Sequence, residues 1–97
     1  MLLDVREPVE RGINAIPAPA ETSDLHIPMG QIVENLETLQ VHVAQASAPV
    51  VVYCHHGVRS MAVAQWLSVQ GIPGILNLTG GIDAYSLGAD PTVPRYR

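Results

Sequence analysis

Lysine and phenylalanine are both absent from this chain. All five basic residues are arginines, against nine acids and four histidines, and the net charge is −4. That balance excludes the basic patch a nucleic acid or an acidic membrane surface requires, and neither partner is expected. One tryptophan and three tyrosines are the only aromatics, so the core has to be aliphatic. The one cysteine excludes an internal disulfide and a cysteine-rich metal site. It suits a reducing compartment, and a cytoplasmic location is the expectation. No basic segment precedes a signal-like apolar run. No apolar stretch approaches the length of a membrane-spanning helix. Repeats, low-complexity tracts and a cofactor motif are all missing, so no cofactor is expected. What remains is 97 residues, 47% of them hydrophobic, enough for one modest core and a single domain over residues 1–97.

The cysteine sits in the most informative stretch. Val50, Val51, Val52 and Tyr53 form a β-branched run after Pro49, which predicts a buried strand ending at Cys54. His55, His56, Gly57, Val58 and Arg59 form a short loop, and Ser60 opens a helix that ends before Gly71 and Pro73. A strand thus delivers Cys54 to a helix N-terminus. Unpaired backbone N–H groups and the positive end of the helix dipole stabilise a thiolate there. With a cation near, such a thiol falls from about 8.5 to roughly 3.5–7.5. Arg59 is the expected cation, and no acid lies between Cys54 and Ile82 in the sequence. Gly57 permits a positive φ, so the loop can turn its N–H groups inward as an anion nest. The ordinary alternative is a small core cysteine.

These residues resemble a known family. Cys54-His55-His56-Gly57-Val58-Arg59-Ser60 looks like the active-site loop of the rhodanese-like sulfurtransferases. Leu2-Leu3-Asp4-Val5-Arg6-Glu7-Pro8 resembles the family's first block, and Asn77-Leu78-Thr79-Gly80-Gly81-Ile82-Asp83-Ala84-Tyr85 its last. The three stand in the family's order and span nearly the whole chain. The resemblance implies a further strand and helix before Leu2, and hence an open edge on the strand near Ile75, to be covered by self-association or by the tail from Asp90 to Arg97.

Along the chain, Met1 to Val5 is expected as a buried parallel strand, and Glu7 to Gly12 as one helical turn ended by the glycine. Ile13 to Asp24, with Pro17 and Pro19, reads as a loop. Leu25 to Ile27 is a short strand before Pro28, and Met29 to Gln45 a single helix with Ile32, Leu36, Leu39 and Val43 on one stripe. His26 and His42 lack partners at ligand spacing and read as ordinary histidines. Ile75 to Leu78 is the last strand, Gly80-Gly81 a turn, and Ile82 to Leu87 a short helix. The alternation predicts an α/β fold: an open parallel sheet of about four strands with helices on both faces. Ligands bind beyond the C-terminal strand ends of such sheets, where all three family-like blocks finish.

The expected chemistry is sulfane-sulfur transfer. Cys54 takes sulfur from a donor such as thiosulfate and passes it from a persulfide to a thiol or cyanide. Loop N–H groups from His55 to Ser60 stabilise the anion, Arg59 holds an anionic donor, and His55 and His56 shape loop charge. As a metal pair the two histidines are weak, because neighbours in sequence point apart. The resemblance gives Asp4 and Arg6 a structural ion pair under the loop. Two other readings stand beside this one. A cysteine-loop phosphatase or arsenate reductase needs a longer loop than the four residues between Cys54 and Arg59. A non-catalytic module would bind a protein partner. Self-association is expected to be weak or absent.

Overall fold

The computed structural model describes residues 1–18, 22–45, 49–89 and 93. Four short strands alternate with helices: β1 (Leu2–Asp4), α1 (Pro8–Ile13), β2 (Asp24–His26), α2 (Leu36–Gln45), β3 (Val50–Tyr53), α3 (Val58–Val69), β4 (Ile75–Asn77) and α4 (Gly81–Gly88). The strands form one parallel sheet in the order β2-β1-β3-β4. The expected α/β sheet is therefore the observed one. Among the described residues β4 pairs only with β3 and forms an edge. The expected covering tail lies outside the described residues except Val93, which is buried and accepts a hydrogen bond from the Ser86 hydroxyl.

Strand alternation divides the core in two. Leu3 and Val5 from β1 and its extension, with Val50, Val52 and Cys54, face one side. There they meet Ile32, Leu39, Val63, Leu67 and Ile72, with Trp66 packed at the margin. Leu2 and Tyr53 face the other side, against Ile16, Ile82 and Val93. The second layer is thin, so the sheet depends on polar pairing on that side, as the site below shows.

Most element boundaries differ from the sequence expectation by one residue, as in β2 at Asp24–His26 and α4 at Gly81–Gly88, and the other helices depart further. The single helix from Met29 to Gln45 is broken into a 3₁₀ turn at Met29–Gln31 and α2. Gly30 is a poor helix former, and the Gln31 carbonyl, which still accepts from the Asn35 N–H at 3.2 Å, also accepts from the Asn35 side-chain amide at 2.8 Å. The apolar stripe survives the break, since Ile32 and Leu39 are both buried. Helix α1 runs through Gly12 to Ile13, held at its start by a capping box between Glu7 and Glu10. Helix α3 begins at Val58, two residues before Ser60, because Gly57 turns the chain with φ 95°.

Candidate functional site

The register places Asp4 opposite Tyr53 and Val52 opposite Asn77. Cys54, directly after β3, therefore stands at the C-terminal end of the sheet between the first and last motif blocks. Its side chain is 1% exposed and packs with the core cluster. It is a buried sulfur at the base of the loop, packed as the core-cysteine reading expects.

Polar groups nevertheless converge on that sulfur. The Gly57 N–H donates to Sγ at 3.1 Å, the Ser60 N–H at 3.4 Å, and the Ser60 hydroxyl lies at 3.4 Å. Burial pushes the thiol up, but hydrogen bonds from the Ser60 hydroxyl and the N–H groups of Ser60, Gly57 and Arg59 outweigh it and hold Cys54 below its ordinary value. The Ser60 hydroxyl has one proton and two acceptors. Its contact with Asn77 Oδ1 is 2.5 Å, much shorter than the one to sulfur. The Asn77 amide in turn donates to the Gly57 carbonyl at 3.3 Å. The last strand thereby fixes both the loop turn and the serine.

Helix α4 clamps the loop from the other side. The Ile82 N–H donates to the Cys54 carbonyl at 2.9 Å and the Asp83 N–H to the His55 carbonyl at 3.1 Å. This close approach requires Gly81: a Cβ there would collide with the Cys54 carbonyl oxygen and stand 2.5 Å from that of His55. Gly57 is similarly fixed, with the Gly80 nitrogen 3.0 Å from where its Cβ would be. A shallow depression beside the loop is lined by His56, Gly57, Val58, Met61, Asn77 and Thr79.

The charged residues depart from expectation in one respect. Arg59 does not present its guanidinium to the thiol. It makes a fork-like pair with Glu10 of α1, at 2.5 and 2.8 Å. The acid comes from 49 residues away in sequence, so the absence of acids within the loop's own stretch is no guide to the local field. The backbone N–H of Arg59 acts on the sulfur. The histidine rings also do not point apart: their centroids are 4.1 Å apart in an edge contact. His55 is buried, and burial, aided by the neighbouring His56, lowers its pKa. His56 is exposed and lies 3.9 Å from the Asp83 carboxylate. No group of three or more metal-binding side chains occurs among the described residues.

Beneath the loop, Asp4 and Arg6 are both fully buried and paired at 2.8 Å. Asp4 also accepts from the Arg6 N–H and Nε at 3.0 and 2.9 Å. Arg6 reaches the Asn14 side chain at 2.6 Å and its carbonyl at 2.8 Å, and stacks over the Tyr53 ring at 5.4 Å. Arg11 bridges Asp4 and Asp24 at 3.2 and 2.9 Å. Burial pushes the Asp4 carboxyl up, but its bonds to Arg6 and Arg11 bring it below the usual range. Glu10, Arg11, Asn14 and Asn77 are the residues that sequence reasoning did not single out. Only Asn77 carried a signal, as the first residue of the last motif block.

Comparison with known proteins agrees with this geometry. A model of the rhodanese-like domain matches residues 1–87. The chain is 56% identical over 45 residues to the rhodanese-like/PpiC domain-containing protein 12 of Arabidopsis thaliana, covering 46% of this chain and 15% of that protein. It is 38% identical over 61 residues to the thiosulfate sulfurtransferase GlpE of Coxiella burnetii, covering 63% of this chain and 52% of that enzyme. The chain thus spans about half the length of these curated relatives or less. A rhodanese-related protein of Thermoplasma volcanium has a similar structure, with TM-score 0.74 and 29% identity over 98% of this chain and 83% of that one.

Proposed function

The chain belongs to the rhodanese-like domain family, and from that premise we propose that it transfers sulfane sulfur through a persulfide on Cys54. The observation that carries this reading is the convergence of N–H donors on a buried sulfur. A neutral thiol is a weak acceptor and uses such donors poorly. A thiolate uses them as charge-assisted bonds, which makes Cys54 the nucleophile able to take up the sulfur. The similarity to a thiosulfate sulfurtransferase supports the same class of reaction.

In the first half-reaction the Cys54 thiolate attacks the outer sulfur of thiosulfate. The new S–S bond forms as the old one breaks, and the electron pair leaves with sulfite. Cys54–S–S⁻ remains, with the total charge unchanged. In the second half, an acceptor thiolate or cyanide attacks the outer sulfur and the Cys54 thiolate leaves. Asp4 and Arg6 hold the loop from below, and the cradle from His55 to Ser60 holds the anion. The experiment is thiosulfate:cyanide turnover with p-nitrophenyl phosphate in parallel. Turnover of thiosulfate alone, abolished in Cys54→Ser while that variant's melting stays within about 1 kcal/mol of the parent, is the expected result. Turnover of the phosphate ester instead points to the phosphatase reading, and activity persisting in the serine variant overturns the role of Cys54.

A further inference from the structure

Three arginines fall among the described residues, and each is matched to a carboxylate. Arg6 pairs with Asp4, Arg11 with Asp4 and Asp24, and Arg59 with Glu10. The chain has no lysine to add to them. Around the thiol loop this leaves Arg59 with Glu10 on one side, and His56 beside Asp83 on the other. Both terminal nitrogens of Arg59 are on the two carboxylate oxygens of Glu10. That bidentate fork is the same geometry in which a guanidinium grips an oxyanion such as the sulfonate end of thiosulfate. The side chains are 35% and 14% exposed, so the pair is partly shielded from water and poorly screened by salt.

We propose, resting on the sulfur-transfer reading above, that Glu10 determines donor specificity: it occupies the Arg59 fork as a built-in anion and turns the site from doubly charged inorganic donors toward the protonated persulfide of a carrier thiol. A doubly charged donor has to displace Glu10 or accept repulsion from it, and the displaced carboxylate has no other guanidinium among the described residues that is not already paired. A protonated persulfide, R–S–SH, brings no charge and needs no fork. The Cys54 thiolate attacks its outer sulfur, and the Cys54–sulfur bond forms as the R–S bond to that sulfur breaks. The electron pair leaves as R–S⁻, and the proton stays on the transferred sulfur as Cys54–S–SH. No oxidant or reductant enters, since sulfane sulfur moves at one oxidation level.

The test is Glu10→Gln, which removes the charge but keeps an acceptor for Arg59 and for the Glu7 N–H in the capping box. Two readouts are taken. The first is the ratio of Cys54 alkylation rates with iodoacetate and iodoacetamide, reagents alike in size and different in charge. It needs no sulfur chemistry. The second is KM for thiosulfate against KM for a low-molecular-weight alkyl persulfide. Glu10→Gln should raise the iodoacetate:iodoacetamide ratio roughly three- to tenfold and lower the thiosulfate KM by a similar factor, with the persulfide KM unmoved. Glu10→Asp, which keeps the charge, should stay near the parent. In an Arg59→Gln background no fork is left to release and only the direct repulsion of Glu10 is relieved, so the rise should be clearly smaller. An unchanged ratio, an equal rise with and without Arg59, or an unmoved thiosulfate KM in an active protein overturns the role of Glu10. A ratio that rises as expected in a protein transferring sulfur from neither donor supports that role and contradicts the sulfur-transfer reading instead.

Discussion

The Asp4 carboxylate and the Cys54 sulfur stand at the same end of neighbouring strands, and they are held by opposite means. Asp4 is gripped by charged side chains, with Arg6 and Arg11 on its two oxygens. Cys54 is met by neutral dipoles, the N–H groups of the turn from Gly57 to Ser60. Both arrangements favour the anion. A guanidinium pair saturates its partner's lone pairs and leaves a fixed, inert charge. Backbone donors approach from one side only and stay in place when the sulfur changes from thiolate to persulfide. One site is built to keep its charge and hold the loop, the other to let an anion react. The difference also marks which site the fold depends on: a buried charge that loses its partner is costly, while a sulfur that loses a donor is still a packed core atom.

The largest expected effect falls on the Asp4 side. Arg6→Ala leaves the fully buried Asp4 carboxylate with Arg11 as its one cation and takes a partner from the Asn14 carbonyl and side chain, and should cost about 3–5 kcal/mol, a large share of the ~5–15 kcal/mol that holds a domain together. Urea unfolding measures it, and a loss below about 1 kcal/mol would break the contrast between the two sites. Gly81→Ala should come next. Its Cβ meets the Cys54 and His55 carbonyls, and a strained left-handed residue adds to the collision, so about 1–3 kcal/mol is expected. The loop should shift as well, and slower Cys54 alkylation at neutral pH would report that shift. The smallest effect belongs to Ser60→Ala. Cys54 lies below its ordinary pKa, so its alkylation rate should rise with pH through a midpoint below that of a free cysteine thiol. Losing the hydroxyl should move that midpoint upward by less than about one unit, because the N–H groups of Gly57, Arg59 and Ser60 remain to lower it. A larger move would mean that a side chain, and not the backbone, governs the thiol.

Much of this molecule was legible in order of sequence locality. The Val50 to Tyr53 run, the turn at Gly57 and the helix after it are set by neighbours within a few positions, and they fold as the residue types suggest. The apolar stripe through Ile32 and Leu39 also reads correctly, although the segment carrying it is split into a 3₁₀ turn and a helix, a break that no periodicity reveals. The rhodanese-like resemblance located the Asp4–Arg6 pair that local spacing could not. What stayed hidden was tertiary. The pairing of Glu10 with Arg59 joins α1 to the loop across 49 residues, and an acid so distant in sequence looks like an ordinary first-turn charge. The Cys54 side chain joins the core cluster with Val52, Val63 and Leu67, the packing that the core-cysteine reading describes.

The central claim is that a thiolate held by backbone donors carries sulfur, and intact mass spectrometry tests it most directly. The protein is exposed to thiosulfate or to an alkyl persulfide, freed of excess donor, weighed, and weighed again after cyanide. The account predicts a gain of one sulfur atom located on Cys54, its loss on adding cyanide, and no gain in Cys54→Ser. A protein that stays at its starting mass with both donors, or a serine variant that gains the same sulfur, would contradict it.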